Sequence, residues 1–139
     1  MIKAAAIAPE DLPAVWPQVS HLVQQALEYD PDNTSIETVT QRLLDGRYLL
    51  ILMLDDLKLL AALTVELVTT NKGLKTCNIV TAGGIQADQW TDPFLDELEL
   101  LAKEQGAAKL TLMGRPGWAR RLRGRGFKTT HIKLEAPIL

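Results

Sequence analysis

The stretch from Thr76 to Phe127 holds most of the residues whose types and spacing could do chemistry. A Gly83-Gly84 pair follows an apolar run, and five of the 15 basic residues of the chain fall between Arg115 and Arg125. Glycine lets a backbone approach a phosphate closely, and guanidinium groups bind phosphate through paired hydrogen bonds. If the protein has a chemical site, we expect it in this stretch. A glycine pair can also simply end a strand, and an arginine-rich helix can simply be a solvated face. For both features the ligand-binding and the structural interpretation stay open.

Two further side chains could react. Glu66 lies in a predicted strand, where a carboxylate facing a cleft could act as a general base; the solvated side of a strand edge is the alternative. Cys77 is the only cysteine, and its apolar surroundings favour a buried inert thiol over a nucleophile. One cysteine excludes an internal disulfide, and with His21 and His131 as the only other soft ligands we predict no metal site.

Length and composition limit the classes of protein to which the chain can belong. At 139 residues, with 47% hydrophobic and 23% charged residues, the chain is typical of one globular domain, which we predict over residues 1–139. No apolar run approaches the roughly 20 residues that cross a bilayer, and the opening residues turn acidic before a signal core forms, so we expect a cytoplasmic protein with no membrane partner. The formal net charge of −2 makes nucleic acid an unfavoured partner.

Apolar periodicity and turn signals predict the elements that must position these residues. Spacings of three and four residues indicate helices, and alternating or continuous apolar runs indicate strands. In order, the predicted elements are an edge strand Ile2–Ala8, helix Asp11–Tyr29, a loop over 30–33, helix Ile36–Leu44 capped by Ser35, strands Tyr48–Leu54, Leu57–Thr69 and Leu74–Thr81, a helix that starts at Thr91-Asp92-Pro93 and is closed by Gly106, strand Lys109–Met113, helix Pro116–Arg123 and a last strand Phe127–Glu135.

The connections between these elements predict the sheet. The Asp55-Asp56 pair indicates a tight antiparallel hairpin, and Asn71-Lys72-Gly73 indicates another turn, so three successive strands are antiparallel. The strand Lys109–Met113 follows a helical crossover and should be parallel to Leu74–Thr81. Apolar side chains on both faces require helices above and below. We therefore predict an α/β (α+β) fold with a mixed central sheet.

This order of elements resembles the GNAT superfamily of acyl-CoA N-acyltransferases over nearly the whole chain. The local marks are the opening IAPEDLPAV, the segment EQGAAKLTL and the helix ending RRLRGRGF. The segment Gly114-Arg-Pro-Gly-Trp118, followed by Arg-Arg-Leu and Gly-Phe, is similar to small GNAT-like proteins encoded in bacteriophage genomes. Trp118 shares a helix face with Ala119 and Leu122, which favours core packing over ligand contact.

The resemblance implies a cofactor and a reaction. Acetyl-CoA or another acyl-CoA would lie between two splayed parallel strands, Leu74–Thr81 and Lys109–Met113, with its pyrophosphate at the turn 82–90 before a helix N-terminus. An amine of a small molecule or a protein would enter from the other side of the gap, with Glu66 as the base. A homodimer is a further expectation. The residues expected to bind the cofactor are Thr81, Ala82, Gly83, Gly84, Arg115 and Arg120.

Two positions depart from the pattern of active members. Asp88 and Asp92 place carboxylates near the helix start, where they oppose a pyrophosphate. Active members commonly carry a tyrosine where this chain has Leu122, and the two tyrosines of the chain, Tyr29 and Tyr48, lie outside that segment. Two hypotheses follow: a diverged N-acyltransferase, or a catalytically inactive phage protein that serves as a virion, assembly or host-interaction component.

The arginines also have several readings. They could bind the nucleotide phosphate of CoA, an acidic partner helix or DNA, or they could form a solvated face. Arg115 follows the second strand of the gap directly, so it could point into the site or pair with Asp88 or Asp92.

Overall fold

The computed structural model describes residues 1–30 and 32–138. Pro31, which belongs to the predicted loop 30–33, and Leu139 lie outside the described residues. The strands are β1 (Ile2–Ile7), β2 (Leu49–Asp55), β3 (Lys58–Thr69), β4 (Lys75–Gly84) and β5 (Lys109–Leu112), and the helices are α1 (Leu12–Leu27), α2 (Ile36–Leu44), α3 (Ala87–Glu104) and α4 (Pro116–Leu122), with 3-10 turns at Pro9–Asp11 and Arg123–Arg125.

The sheet confirms the predicted fold class. The described strands lie in the order β1-β2-β3-β4-β5; the first three pairings are antiparallel, and β4 and β5 are parallel. β1 forms one edge, as predicted. The β2–β3 hairpin pairs Asp55 with Lys58, and Asp56 in its two-residue turn has a left-handed φ of 52°. Asp adopts a left-handed φ more readily than most residues do, and the favoured two-residue hairpin turns require such a φ.

Helices cover both faces of the sheet, and strand periodicity assigns side chains to each. Leu50 and Leu52 pack with α1 and α2, whereas Ile51 and Met53 pack with α3. The core against α1 and α2 comprises Leu12, Val19, Leu22, Val23, Leu27, Val39, Leu43, Tyr48, Leu50, Leu52 and Ala62. The core against α3 and α4 comprises Ile51, Met53, Leu60, Ala61, Leu63, Val65, Cys77, Ile79, Trp90, Phe94, Leu95, Leu98, Ala102 and Leu122.

Helix α2 begins where its sequence predicts. Ser35 has extended backbone angles, and its Oγ accepts a hydrogen bond of 3.2 Å from the Thr38 amide. This satisfies one of the amides that the first turn of a helix leaves unpaired.

The start of α3 differs from the prediction, because the helix begins at Ala87 rather than near Thr91. Gln86 turns the chain with a left-handed φ of 56°, and Pro93 lies inside the helix. Trp90 is buried, and its indole N–H donates a 2.8 Å hydrogen bond to the carbonyl of Ile85. Burial of this large ring extends the apolar stripe of α3 back by one turn.

Two other predictions are corrected at strand ends. The predicted end of the strand at Thr81 is wrong, because β4 continues through Ala82 and Gly83 to Gly84 and pairs with β3 there. The predicted last strand Phe127–Glu135 is also wrong, because residues 127–135 have no strand structure in the described chain. Its apolar side chains Ile132 and Leu134 are exposed. An alternating apolar pattern forms a strand only where its apolar face packs against another part of the protein.

Candidate functional site

A gap opens between β4 and β5 at the carboxyl ends of the two strands. β5 pairs with β4 only from Thr76 to Ile79 and ends at Leu112, whereas β4 runs on to Gly84. The chain leaves β5 through Met113 and Gly114 and enters α4 at Pro116. Within the described chain, residues 80–84 of β4 therefore have a neighbouring strand on the β3 side alone. Their backbone groups on the β5 side are free to bind an extended ligand.

A β-bulge lies at the point where the gap begins. Thr64 pairs with Thr81 but Val65 pairs with Ile79, so Val80 is an extra residue on β4. A bulged residue leaves the ladder, and the strand bends and twists more strongly there. Bulges in such positions re-aim backbone and side chains towards sites. The bulge was not predicted, because register depends on the pairing of two strands and has no signal in one strand alone.

A cavity of about 340 Å³ opens from this gap. It is bordered by the carboxyl end of α1, the loop after it, α2, the middle of the sheet and the start of α4. Its lining comprises Ala26, Tyr29, Asp30, Asp32, Thr34, Arg42, Tyr48, Glu66, Asn78, Ile79, Val80, Thr81, Ala82, Leu112, Met113, Gly114, Arg115 and Trp118.

The candidate base Glu66 lies in this lining. Its side chain is 17% exposed, and Arg47 Nε lies 3.4 Å from its Oε1. In the next strand pair, Thr111 Oγ1 donates a 2.9 Å hydrogen bond to Asn78 Oδ1. Because Glu66 pairs with Asn78 across β3 and β4, the carboxylate lies beside the parallel strand pair and close to the beginning of the gap.

Two arginine–tyrosine pairs lie on the α1 and α2 side of the cavity. Arg42 Nη1 donates a hydrogen bond of 2.6 Å to the hydroxyl of the buried Tyr48. The guanidinium of Arg115 lies 3.8 Å from the ring centroid of Tyr29. Sequence reasoning did not select Arg42, Tyr29 or Tyr48 for the site. They come from α2, the end of α1 and the residue before β2, and only the packing of α1 and α2 on the sheet brings them together.

Asp30 shapes the loop that borders the cavity. Its carboxylate accepts hydrogen bonds from the amides of Thr34 at 2.7 Å and Asp32 at 3.2 Å. Partial burial acts to raise the pKa of Asp30, but hydrogen bonds from the side chain and the amide of Thr34 and from the amide of Asp32, together with the positive charge of Lys133, hold it below its ordinary value. The carboxylate is therefore ionised at neutral pH and holds the loop in place.

The glycine pair has a clear packing role. A Cβ on Gly83 would clash with the backbone carbonyl of Leu22 in α1, and one on Gly84 would clash with the carbonyl of Leu60 in β3. Gly83 therefore lets α1 approach β4 closely. Thr81 is buried, and its hydroxyl is hydrogen-bonded to that of Thr64, while Ala82 lines the cavity. Cofactor binding by residues 81–84 stays a prediction.

The arginines in and around α4 have different surroundings. Arg115 lines the cavity, and neither Asp88 nor Asp92 is its partner. Arg120 is exposed on α4, and its predicted role with the cofactor stays a prediction. Arg125 instead binds the acidic face of α3, at 3.3 Å from Asp92, 2.9 Å from Asp96 and 3.1 Å from Glu99.

Leu122, Trp118 and Cys77 each lie in defined surroundings. Leu122, at the end of α4, is 3% exposed and belongs to the core. The ring centroid of Trp118 lies 6.2 Å from that of Trp90, in agreement with core packing. Trp118 also lines the cavity, and its contact with a ligand stays a prediction. Cys77 is fully buried, as predicted, and desolvation raises the pKa of its thiol to about 11. Such a thiol is not a nucleophile at neutral pH.

Among the described residues, no group of three or more His, Cys, Asp or Glu side chains could hold a metal ion. None of the described helices is long and apolar enough to cross a membrane.

Comparison with known proteins gives matches in structure but none in sequence. No protein-family model matches the chain, and no curated protein matches it significantly. Among solved structures, the chain is similar to a predicted acetyltransferase from Clostridium acetobutylicum with acetyl-CoA, at a TM-score of 0.71 and 15% identity over 99% of this chain and 96% of that one.

Two further solved structures cover both chains almost completely. One is an aminoglycoside acetyltransferase from an uncultured soil metagenomic sample, at a TM-score of 0.74 and 10% identity over 100% of this chain and 99% of that one. The other is a GCN5-related N-acetyltransferase from Ralstonia eutropha, at a TM-score of 0.66 and 16% identity over 99% of each chain. At these identities the likeness establishes a shared fold, the GNAT fold.

Proposed function

We propose that this protein is an N-acyltransferase that moves an acyl group from acyl-CoA to an amine. The observation that carries the proposal is the gap beyond Ile79 and Leu112, which exposes one edge of β4 and leads to a cavity lined by Glu66. A solved structure of the same fold contains acetyl-CoA, which supports this cofactor.

The proposed cofactor position follows from the free edge of β4. The amide-rich arm of CoA would pair with the backbone of residues 80–84, as an added strand pairs with a sheet edge. The pyrophosphate would lie at the start of α3, where helix amides point outward. Asp88 in the first turn of α3 opposes this anion, and Arg115 and Arg120 are the proposed counter-charges.

The reaction uses residues at the beginning of the gap. Glu66 would accept one proton from the ammonium form of the acceptor, directly or through water, and the neutral amine nitrogen would then attack the thioester carbonyl. The bulge at Val80 removes this residue from the ladder and makes its N–H available to the oxygen that becomes negative. The C–S bond then breaks, and the extra proton on the nitrogen would pass through water to the departing thiolate, because Leu122 has no proton to give.

A second candidate is a protein of this fold without catalysis. The observation that favours it is the burial of Leu122 in the core. The resemblance to active members of the superfamily implies a tyrosine acid at this position. The narrower form of this candidate, a bacteriophage protein that serves in a virion, in assembly or in contact with the host, rests on sequence resemblance.

Titration calorimetry with acetyl-CoA, together with an assay of CoA release in the presence of varied amines, tests both candidates. The transferase requires saturable binding of acetyl-CoA and release of CoA that depends on the amine. Binding without release across the amine panel would instead favour the inactive protein. No binding at millimolar acetyl-CoA would refute the proposed cofactor.

A further inference from the structure

We propose that the acceptor amine also carries an anionic group, a carboxylate or a phosphate, and that Arg42 binds this group. This inference rests on the proposed function and specifies its substrate class. It places an anion subsite at Arg42, on the α2 side of the cavity.

Arg42 is a cation in the cavity that has no counter-ion among the described residues. The side chain is half-buried, and among the described residues no carboxylate lies within the 4.0 Å of an ion pair. Its hydrogen-bond partner is the hydroxyl of Tyr48, at 2.6 Å. A phenol orients the guanidinium but does not neutralise it. Because Tyr48 is only 5% exposed, this partner is itself held firmly by the core.

Two other arginines of the chain, unlike Arg42, have carboxylate partners. Arg47 pairs with Glu66, and Arg125 is shared by three carboxylates. Arg115, which also lines the cavity, resembles Arg42, because its contact is the ring of Tyr29 and no carboxylate pairs with it in the described chain. The two arginines that line the cavity are thus held by tyrosines. A pre-oriented guanidinium binds an anion with little further loss of side-chain freedom.

No described carboxylate of the cavity forms an ion pair with Arg42. Glu66 is paired with Arg47, the charged carboxylate of Asp30 accepts hydrogen bonds from the amides of Thr34 and Asp32, and Asp32, which also lines the cavity, forms no ion pair with Arg42. A ligand with an anionic group and an ammonium group therefore complements the charges of the cavity better than a simple amine does. Its anionic group would lie at Arg42, and its ammonium group would lie towards Glu66, where the proton is removed.

The test uses pairs of acceptors that differ in one charge. Acyl transfer from acetyl-CoA is measured with glycine against glycinamide and with O-phosphoethanolamine against ethanolamine, for the unmodified protein, Arg42→Gln and the exposed control Arg123→Gln. The unmodified protein and the control should prefer the anionic member by about tenfold or more in kcat/KM. Arg42→Gln should lose this preference while its KM for acetyl-CoA is unchanged. The pair with the larger preference distinguishes carboxylate from phosphate.

Several results would overturn the inference. They are an equal rate with both members of each pair, a preference that survives in Arg42→Gln, or a rise in the KM for acetyl-CoA, which would assign Arg42 to the cofactor. If Arg42→Gln does not fold, Arg42→Lys replaces it; a lysine keeps the charge but loses the two-point contact, so the preference should fall but persist.

A binding measurement separates this inference from the proposed function. Thermal unfolding is followed in sodium phosphate and sodium acetate against sodium chloride at equal ionic strength. Stabilisation of the unmodified protein by either anion, absent in Arg42→Gln, supports the subsite even if no amine is acylated. Acylation of neutral amines at the same rate, without anion stabilisation, would refute the subsite and leave the acyltransferase standing.

Discussion

The hydroxyl groups of Thr64 and Thr81 lie 2.8 Å apart and form a hydrogen bond in the interior of the sheet. The residues are 0% and 5% exposed, and they face each other across β3 and β4 next to the bulge at Val80. Each hydroxyl thus satisfies the other where no water is available.

The first prediction concerns this pair. Thr64→Val leaves the Thr81 hydroxyl buried without a partner, so it should lower the free energy of unfolding by about 1–3 kcal/mol, and Thr81→Val should do the same. The double variant replaces both hydroxyls by methyl groups of the same shape and should lie close to the unmodified protein. Urea unfolding measures all four proteins. Additive losses in the double variant would contradict this account of the pair.

The helices and strands could be predicted from sequence wherever periodicity and packing agree. Leu50 to Met53 alternate between two cores, and α2 begins at its predicted cap, Ser35. The start of α3 could not be predicted, because Pro93 is a strong helix-start signal. Burial of Trp90 outweighs it. Residues 127–135 have strand-like alternation, but a strand also needs a surface to pack against. The local sequence does not specify whether the fold provides one.

The candidate site could be predicted in part. Glu66 and Arg115 do line one cavity, and the sequence separately predicts that β4 and β5 are parallel. The α2 side could not be predicted, because Arg42 and Tyr48 have side-chain types that are common on surfaces and in cores. Their meeting depends on how α2 packs on β2, which no local pattern specifies.

The second prediction tests the packing role of Gly83. Gly83→Ala forces a methyl group against the carbonyl of Leu22 and should destabilise the protein by about 1–3 kcal/mol. Gly117→Ala in α4 is the matched control, because nothing lies within 4 Å of the added carbon; it should be neutral or stabilising by up to about 1 kcal/mol. Thermal unfolding measures both. A stable Gly83→Ala that fails to bind acetyl-CoA would favour a direct role in the cofactor site over packing.

The third prediction concerns Cys77. Because burial raises the folded-state pKa to about 11, above an unfolded value of about 8.5, the folded state holds the proton longer. Stability should therefore be unaffected below about pH 8 and should fall between about pH 9 and 11, by roughly 1 kcal/mol per pH unit. Cys77→Ala should lack this thiol contribution. Urea unfolding across this range checks the slope; an identical slope in both proteins would show that other groups cause it.

The fourth prediction concerns the contact of Arg125 with α3. Asp92 and Asp96 are 73% and 69% exposed, so each ion pair is weakened by solvent, but three carboxylates share one guanidinium. Arg125→Gln should lower stability by about 1 kcal/mol at low salt, and the loss should shrink at high salt. The control Arg123→Gln should change little. A loss that does not depend on salt would indicate that packing of the side chain, rather than charge, holds α4 to α3.

The last prediction concerns the base. Glu66→Gln keeps the shape of the side chain but cannot accept a proton, so kcat for acyl transfer should fall by about 100-fold or more. Binding of acetyl-CoA should change by less than about twofold, because the carboxylate lies where the acceptor amine would enter. The exposed variant Glu97→Gln is the control and should keep full activity. Since the pair with Arg47 is partly exposed, unfolding should change by less than about 1 kcal/mol. Full activity of Glu66→Gln would assign proton removal to water or to another group of the cavity.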